Sequence, residues 1–484
     1  MATVKLDEVR NSLFNLLKMD RVSCLFFFLV GLILRGIPEL LVSGYPVGYE
    51  TITWYAPPMM TFLGRSVGDV FVEFFRSGPL FYVLMWLVTN VTGAHAFLIL
   101  KVVGPLLYGG LVVSFFVFLR RGLKFDWKLA FVASLLLVFQ IAALRDSWDR
   151  FRTVLGLGFL FTALTAFKSD HKYKWWLVAV LAVLTVVSRE YVAVVLFVAV
   201  LGFVILDKKD RVSSLIALGP ALAVFAVTIY PLLSGGVWNY VSEGSFVSRG
   251  YLWTVQDAFV IFVVCYLGLL PFVVAGWRRD KLMWPMVVWL LVGSFSVVFP
   301  FFAGLGYQRW LMLLVFPFCV FAVWGFERLK LFSRRRVWML AAVVLAFMVI
   351  GAGYSTGAFS YVGQIPNSYV AVNLVESSIN WNQIGDVKAV LYWLDRNAVF
   401  NSSVLVEECF YGWTLLYFGR ANRDVCVIPY GAASLPTNAL ETALHDGFSR
   451  IYLIWFTEKG FSDFKVVYSQ NAISIFQYSS SLVE

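Results

Sequence analysis

Eleven stretches of this chain are apolar over most of a membrane's thickness and carry at most two charges each. They lie near residues 22–43, 96–119, 129–144, 153–167, 175–189, 191–206, 213–233, 257–277, 282–302, 310–326 and 337–353. A bilayer's hydrocarbon core is about 30 Å thick and is crossed by about 20 helical residues. Inside it, backbone polar groups find partners only in helices or closed barrels. No strand-period alternation repeats along the chain. The sequence therefore predicts a polytopic α-helical membrane protein with about eleven spans. Of 484 residues, 60% are hydrophobic and only 14% charged, which excludes a disordered chain, a disulfide scaffold and an ordinary cytosolic enzyme. The first span runs on to Arg35 and Pro38 without a small-residue cleavage site, so it is expected to be retained.

Lysine and arginine set the orientation, because basic loops stay cytoplasmic. The dense clusters fall in 1–21, 120–128, 168–174, 207–211, 277–281 and 327–336, which are alternate connections. This predicts a plasma-membrane protein with its N-terminus in the cytoplasm and the tail after residue 353 outside. The net charge of +10 is then mostly inner-loop charge facing anionic lipid. Clusters separated by spans form no groove for nucleic acid. The opposite connections hold acids beside a few single arginines, which suggests a polar site at the outer face.

Two units follow: a membrane module over 1–353 and an external α/β domain over 354–484. The first outer loop, 44–95, is unusually long, and long structured loops tend to carry function. Within it, the apolar stretch 79–91 is too short to span and reads as an interfacial or re-entrant helix. In the tail, helices are expected at 386–397, 411–419 and 437–446. Strands are expected at 404–408, 425–429, 451–456, 464–469 and 473–478, the last two flanking a turn at Gln470 and Asn471. That alternation argues a small sheet, parallel in part, ending in an antiparallel hairpin. Cys24, Cys265 and Cys319 sit in apolar spans and read as small hydrophobes. Cys409 and Cys426 are both external, which leaves a disulfide open. Asn90 and Asn401 begin acceptor sequons for glycosylation.

Four places bear chemistry. The first loop reads GYPVGYETITWYAPP from Gly44, with Glu50 among Tyr45, Tyr49, Trp54 and Tyr55. A carboxylate there suits a general base, its pKa raised by partial desolvation, and the aromatic faces suit sugar rings or an isoprenoid. The alternative is a solvated acid among belt aromatics. The hairpin LRDSWDRFR from Leu144 holds Arg145, Asp146, Asp149, Arg150 and Arg152. Its i,i+4 spacing allows Arg145–Asp149 and Asp146–Arg150 pairing. The same residues allow the aspartates to hold magnesium or manganese while an arginine meets phosphate. Arg189 beside Glu190, and Arg309 after Tyr307 and Gln308, are costly near the membrane, and arginine's planar fork suits phosphate. Ion pairing with Glu190 or snorkelling to the interface are the plain alternatives. No Walker A pattern occurs, and His95, His171 and His445 are isolated.

These features together resemble the GT-C superfamily of membrane glycosyltransferases. The resemblance rests on GYPVGYETITWY, the interfacial SGPLFYVLMWLV from Ser77, LRDSWDRFR, and GYQRWLMLLVFP from Gly306, followed by the α/β tail. In layout it is closest to protein O-mannosyltransferases and lipid-A aminoarabinose transferases. It implies a polyprenyl-phosphate-linked sugar as donor and a glycan, lipid or protein as acceptor. Glu50 would be the catalytic acid of the first loop, where the family commonly has Asp. Asp146 and Asp149 would stand at the acidic position that binds metal in oligosaccharyltransferases, here as Asp-x-x-Asp. Arg309 would hold the lipid phosphate, helped by Arg189, Arg152 or Arg145, with Tyr49 and Tyr307 lining the substrate. The tail carries FYGW at 410–413 but no WWDYG, which argues against an oligosaccharyltransferase. The expected reaction is inverting transfer to a hydroxyl at the outer face. The rival reading is a transporter or flippase of a lipid-linked or anionic substrate.

Overall fold

The computed structural model describes residues 19–42, 44–206, 211–234, 251–277, 283–298, 307–356, 379, 383–418, 425–430, 437–457 and 460–479. The chain opens with α1 (Asp20–Leu41) and reaches a five-residue π turn, Thr51–Tyr55. Three short helices follow, α2 (Ala56–Met59), α3 (Val67–Phe74) and α4 (Pro79–Thr92). The bundle continues with α5 (Ala96–Val117), a second π turn at Phe118–Gly122, α6 (Trp127–Val138), α7 (Ile141–Asp149), α8 (Phe151–Phe167), α9 (Lys174–Ser188), α10 (Glu190–Leu206) and α11 (Arg211–Ser234). It closes with α12 (Tyr251–Tyr266), α13 (Leu270–Gly276), α14 (Trp284–Val298), α15 (Tyr307–Leu313), α16 (Val315–Arg328) and α17 (Val337–Ser355).

Among the described residues, five helical stretches are long and apolar enough to cross a membrane: Asp20–Leu41, Ala96–Gly122, Arg211–Tyr230, Tyr307–Arg328 and Val337–Ser355. Two bent pairs raise that to seven. Trp127–Val138 and Ile141–Asp149 meet at 56°, and Val255–Tyr266 and Leu270–Gly276 meet at 76°. The four remaining sequence-predicted spans form helices of 15 to 17 residues. The 79–91 stretch is a 14-residue helix, α4, short of a span as expected.

Local chemistry sets these boundaries. Asp126 accepts the Leu129 N–H at 2.8 Å and starts α6. Ser66 accepts the Asp69 N–H at 3.1 Å and starts α3. His95 accepts the Phe97 N–H at 3.3 Å, so that histidine caps α5. Gly78 lies at φ +82 immediately before Pro79, which opens α4.

The C-terminal unit holds α18 (Ile384–Asn397), β1 (Ser402–Glu407), α19 (Glu408–Phe418), β2 (Val425–Tyr430), α20 (Thr437–His445), β3 (Arg450–Phe456), β4 (Phe464–Gln470) and β5 (Ile473–Tyr478). Every element expected from the sequence is present within a few residues. The strand order is β2-β1-β3-β5-β4. Strands β1, β2 and β3 run parallel, and β5 pairs antiparallel with β3 and β4. Interior strand β1 is buried on both faces, as parallel strands under helices require. Val404 and Val406 pack with Val387, Leu391 and Leu394 of α18, while Leu405 packs with Ala439 and Ala443 of α20. Asn471 sits in the hairpin turn at φ +47. Cys409 and Cys426 are separate thiols here, and Cys409 donates to Glu407.

The two units are joined through the first loop. Val42, Val47 and Ile52 belong to the same hydrophobic core as α18, β1 and Trp413 of α19. The Tyr45 ring meets Trp413 edge-on at 4.9 Å, and its hydroxyl lies 3.2 Å from that of Tyr417. A side chain at Gly412 would stand 2.9 Å from Thr53 Cα and 3.0 Å from its nitrogen. Substituting Gly412→Val is expected to force α19 off the π turn at a cost of about 1–3 kcal/mol. A lower thermal midpoint, with faster proteolysis between the two units, checks this.

Candidate functional site

At the end of the bundle that carries the first loop, five charges of α7 and the start of α8 are buried. Arg145, Asp146, Asp149 and Arg150 are each 5% exposed or less, and Arg152 is 9% exposed. An unpaired charge in such a place is very costly, so each has a partner. Arg150 donates to Asp146 at 2.8 Å, and Arg145 pairs with Asp149. Both pairs are i,i+4 on one helical ramp, as the spacing allowed.

Asp149 does a second job. Its Oδ1 accepts the Glu50 N–H at 3.0 Å, while the Thr51 hydroxyl donates to the Trp148 carbonyl at 2.6 Å. The loop comes this close because residue 48 is glycine. Its φ is +131, and a Cβ there would meet Thr51 Oγ1 at 2.6 Å and the Trp148 carbonyl at 2.5 Å. The loop's other end is held by a buried cluster at the top of α1. Glu39 accepts the Val47 N–H at 3.0 Å and pairs with Arg35 at 2.7 Å. Lys101 of α5 donates to the carbonyls of Val42 and Tyr45 at 2.5 and 2.9 Å. Arg35 also reaches the Ser147 carbonyl at 3.2 Å, so the cluster braces α7 as well.

Glu50 thereby lies, partly exposed, among cations. Burial alone would push its carboxyl up. Arg309 first, then Arg150, Arg189 and Arg145, outweigh burial and hold it below the usual carboxylate range. The upward shift expected from the aromatic loop is thus reversed, because four guanidiniums face the acid and the sequence does not show them converging.

The arginines are in different states. Arg152 donates to the Ser77 carbonyl and, at 3.3 Å, to the Tyr55 hydroxyl, and lies over the Tyr55 and Tyr82 rings at 5.5 and 5.6 Å. It pins the loop before α4, where a Cβ on residue 78 would collide with the Ser188 carbonyl, so glycine is needed there. Arg189 interrupts α9 and α10 in extended conformation. It stands over the Tyr191 ring at 5.0 Å, with Nε 3.6 Å from Glu190, an ion pair beyond hydrogen-bond range. Arg309 makes no hydrogen bond or ion pair among the described residues. Its helix, α15, packs on α7 and α12, and Tyr307 donates to buried Asp257 of α12. Tyr49 lies part-buried in the loop, its carbonyl accepting the Thr53 hydroxyl at 3.1 Å.

The structure thus brings Glu50, Asp149, Arg145, Arg150, Arg189 and Arg309 together, with Asp146 behind them. Arg150 was readable as a pairing partner but not as a cation facing Glu50. Gly48, Arg35 and Asp257 act as positioning residues. Their only sequence signal was charge or glycine at a span end. Asp146 and Asp149 are poor donors for a divalent cation: both are neutralised by guanidiniums, and Asp149 also holds a backbone N–H. Among the described residues no group of three His, Cys, Asp or Glu forms a metal cage.

No family model matches this chain, nor does any curated protein. Solved structures do. The arabinofuranosyltransferase AftD of mycobacteria superposes with a TM-score of 0.55 at 11% identity, over 95% of this chain and 40% of that one. A variant of AftD gives 0.50 at 12% identity, over 94% and 41%. The oligosaccharyltransferase of Archaeoglobus fulgidus gives 0.46 at 12% identity, over 89% and 65%. The chain thus shares the fold of AftD. The chain spans about two fifths of AftD's length.

Breaking the buried pair with Arg145→Met should cost about 3–5 kcal/mol by stranding Asp149. Arg309→Met, which breaks no pair among the described residues, should leave the thermal midpoint nearly unchanged. Thermal unfolding of the two variants in detergent distinguishes a structural from a ligand-facing arginine.

Proposed function

We propose that this protein is a membrane glycosyltransferase that moves a sugar from a polyprenyl-phosphate donor to an acceptor hydroxyl at the outer membrane face, inverting the anomeric centre. The observation that carries the reading is the position of Glu50: a partly exposed carboxylate facing Arg309, a guanidinium without a hydrogen-bonding partner among the described residues, on a rigidly clamped loop. The fold shared with the arabinofuranosyltransferase AftD supports it.

In this mechanism Arg309, with Arg189 beside it, receives the donor's phosphate. Charge developing on the leaving phosphate is stabilised by dipoles and cations already in place. Glu50 accepts the proton of the acceptor hydroxyl as that oxygen attacks the anomeric carbon. The sugar–phosphate bond breaks on the opposite face, and the polyprenyl phosphate leaves as an anion. Tyr49 and Tyr307 line the sugar. Asp146 and Asp149 act by holding Arg150 and Arg145, and no step passes through a metal.

A carboxylate held low by arginines is a weak base in the empty site. An anionic phosphate on Arg309 offsets the cation that lowers it most. Donor binding then raises the proton affinity of Glu50 when a base is needed, which ties acceptor activation to donor occupancy.

Purified protein in nanodiscs, given radiolabelled polyprenyl-phosphate sugars and membrane or glycan acceptors, should transfer label. Glu50→Gln should reduce transfer by about 10²–10⁴-fold. Excess EDTA should leave the wild-type rate unchanged. Lipid binding without turnover would favour the transporter reading instead. The pH profile gives a separate check. Arg309→Gln removes the cation that most depresses Glu50, so the acidic limb of kcat/KM in residual activity should move to higher pH. A limb left in place would sink Glu50 as the titrating base.

A further inference from the structure

The opposite end of α1 holds a basic cavity that the proposed transfer reaction does not use. It encloses about 270 Å³ between the start of α1 and the end of α5, lined by Asp20, Arg21, Cys24, Phe116, Arg120 and Arg121, with Val117 beside them. Three guanidiniums meet one carboxylate there. Arg120 is the paired one, donating to Asp20 at 3.0 Å and to the Phe125 carbonyl at 2.6 Å. Arg21 and Arg121 make no hydrogen bond or ion pair among the described residues, and both are exposed. Among the described residues the cavity therefore keeps an excess of two positive charges.

The geometry is built by a local irregularity. Helix α5 ends in the π turn Phe118–Gly122, closed by the Leu123 N–H to the Phe118 carbonyl at 2.9 Å. A Cβ at residue 122 would stand 2.6 Å from the Phe118 ring, so glycine is what lets the turn close. Insertions of this kind are frequent at functional sites. Here the turn carries both Arg120 and Arg121 to the cavity wall.

The apolar surface beside the cavity identifies the ligand's other half. Arg21 heads a row spaced by four along α1, followed by Leu25, Leu29 and Ile33, which are 58%, 44% and 59% exposed. Residues four apart share a helix face. One face of α1 thus presents a cation at its end and an uninterrupted apolar strip along its length. We infer that this cavity binds the phosphate headgroup of an anionic phospholipid, with Arg21 and Arg121 on the phosphate oxygens and an acyl chain along Leu25, Leu29 and Ile33. Basic pockets between membrane helices hold lipid headgroups by this charge complementarity. Free phosphate would satisfy the arginines but would make no use of the strip.

The test is native mass spectrometry of the full chain in non-ionic detergent, titrated with phosphatidylglycerol or phosphatidylcholine. Phosphatidylglycerol should bind more tightly, and the R21Q/R121Q double variant should lose about tenfold or more of that affinity with phosphatidylcholine binding unchanged. Millimolar inorganic phosphate should not displace the lipid. Equal binding of the two lipids, an unaltered double variant, or displacement by inorganic phosphate overturns the proposal. A wild-type measurement guards against a variant that fails to fold. Phosphatidylglycerol with a photoreactive headgroup should label 20–24 and 116–121, and labelling confined to other segments overturns it too.

Discussion

Ionised groups inside an apolar bundle must be paired, and the rest of this structure depends on how that is done around Asp149. Its carboxylate takes the Arg145 guanidinium on one oxygen and the Glu50 backbone N–H on the other. A buried pair of this kind adds little net stability over apolar packing, but breaking it is costly. What it contributes is position. The bent end of α7, the first loop and the acid that follows are all referred to one carboxylate.

The loop is held at three points by different chemistry. Asp149 and the Trp148 carbonyl hold its middle. Glu39 and Lys101 hold its beginning through backbone groups. The C-terminal unit closes over it with Tyr45, Trp413 and Val47 in a shared apolar core. Backbone anchoring leaves the Glu50 side chain itself uncommitted by any hydrogen bond among the described residues. A rigid loop presenting an uncommitted carboxylate is what positioned chemistry requires, since small misplacements of a reacting group are expensive.

Much of this was legible one segment at a time. The helix and strand periods of the tail, the short 79–91 helix and the i,i+4 charge pairs of LRDSWDRFR are local, and each appears as read. The span count was less legible, because bends at 139–140 and 267–269 and helices of 15 to 17 residues blur what one crossing is. The environment of Glu50 was not legible at all. Its neighbours come from α7, the α9–α10 junction and α15, separated by up to 259 positions, so the sign of its pKa shift needed their convergence in space.

The sequence by itself determined the class of object: apolar runs with basic connections must become membrane helices, and alternating periods after residue 383 must become a helix-flanked sheet. Those outcomes follow from burial of side chains on elements the chain forms locally. Only the tertiary structure decided which arginines are pins, which are paired and which is left facing the acid. Arg152 and Arg309 are the same residue type in similarly apolar surroundings. They differ because Arg152 has Ser77, Tyr55 and Tyr82 within reach, while Arg309 has across from it a carboxylate brought there by a glycine and a shared aspartate. Coulomb interactions depend on distances across the fold, and spacing along the chain does not encode them.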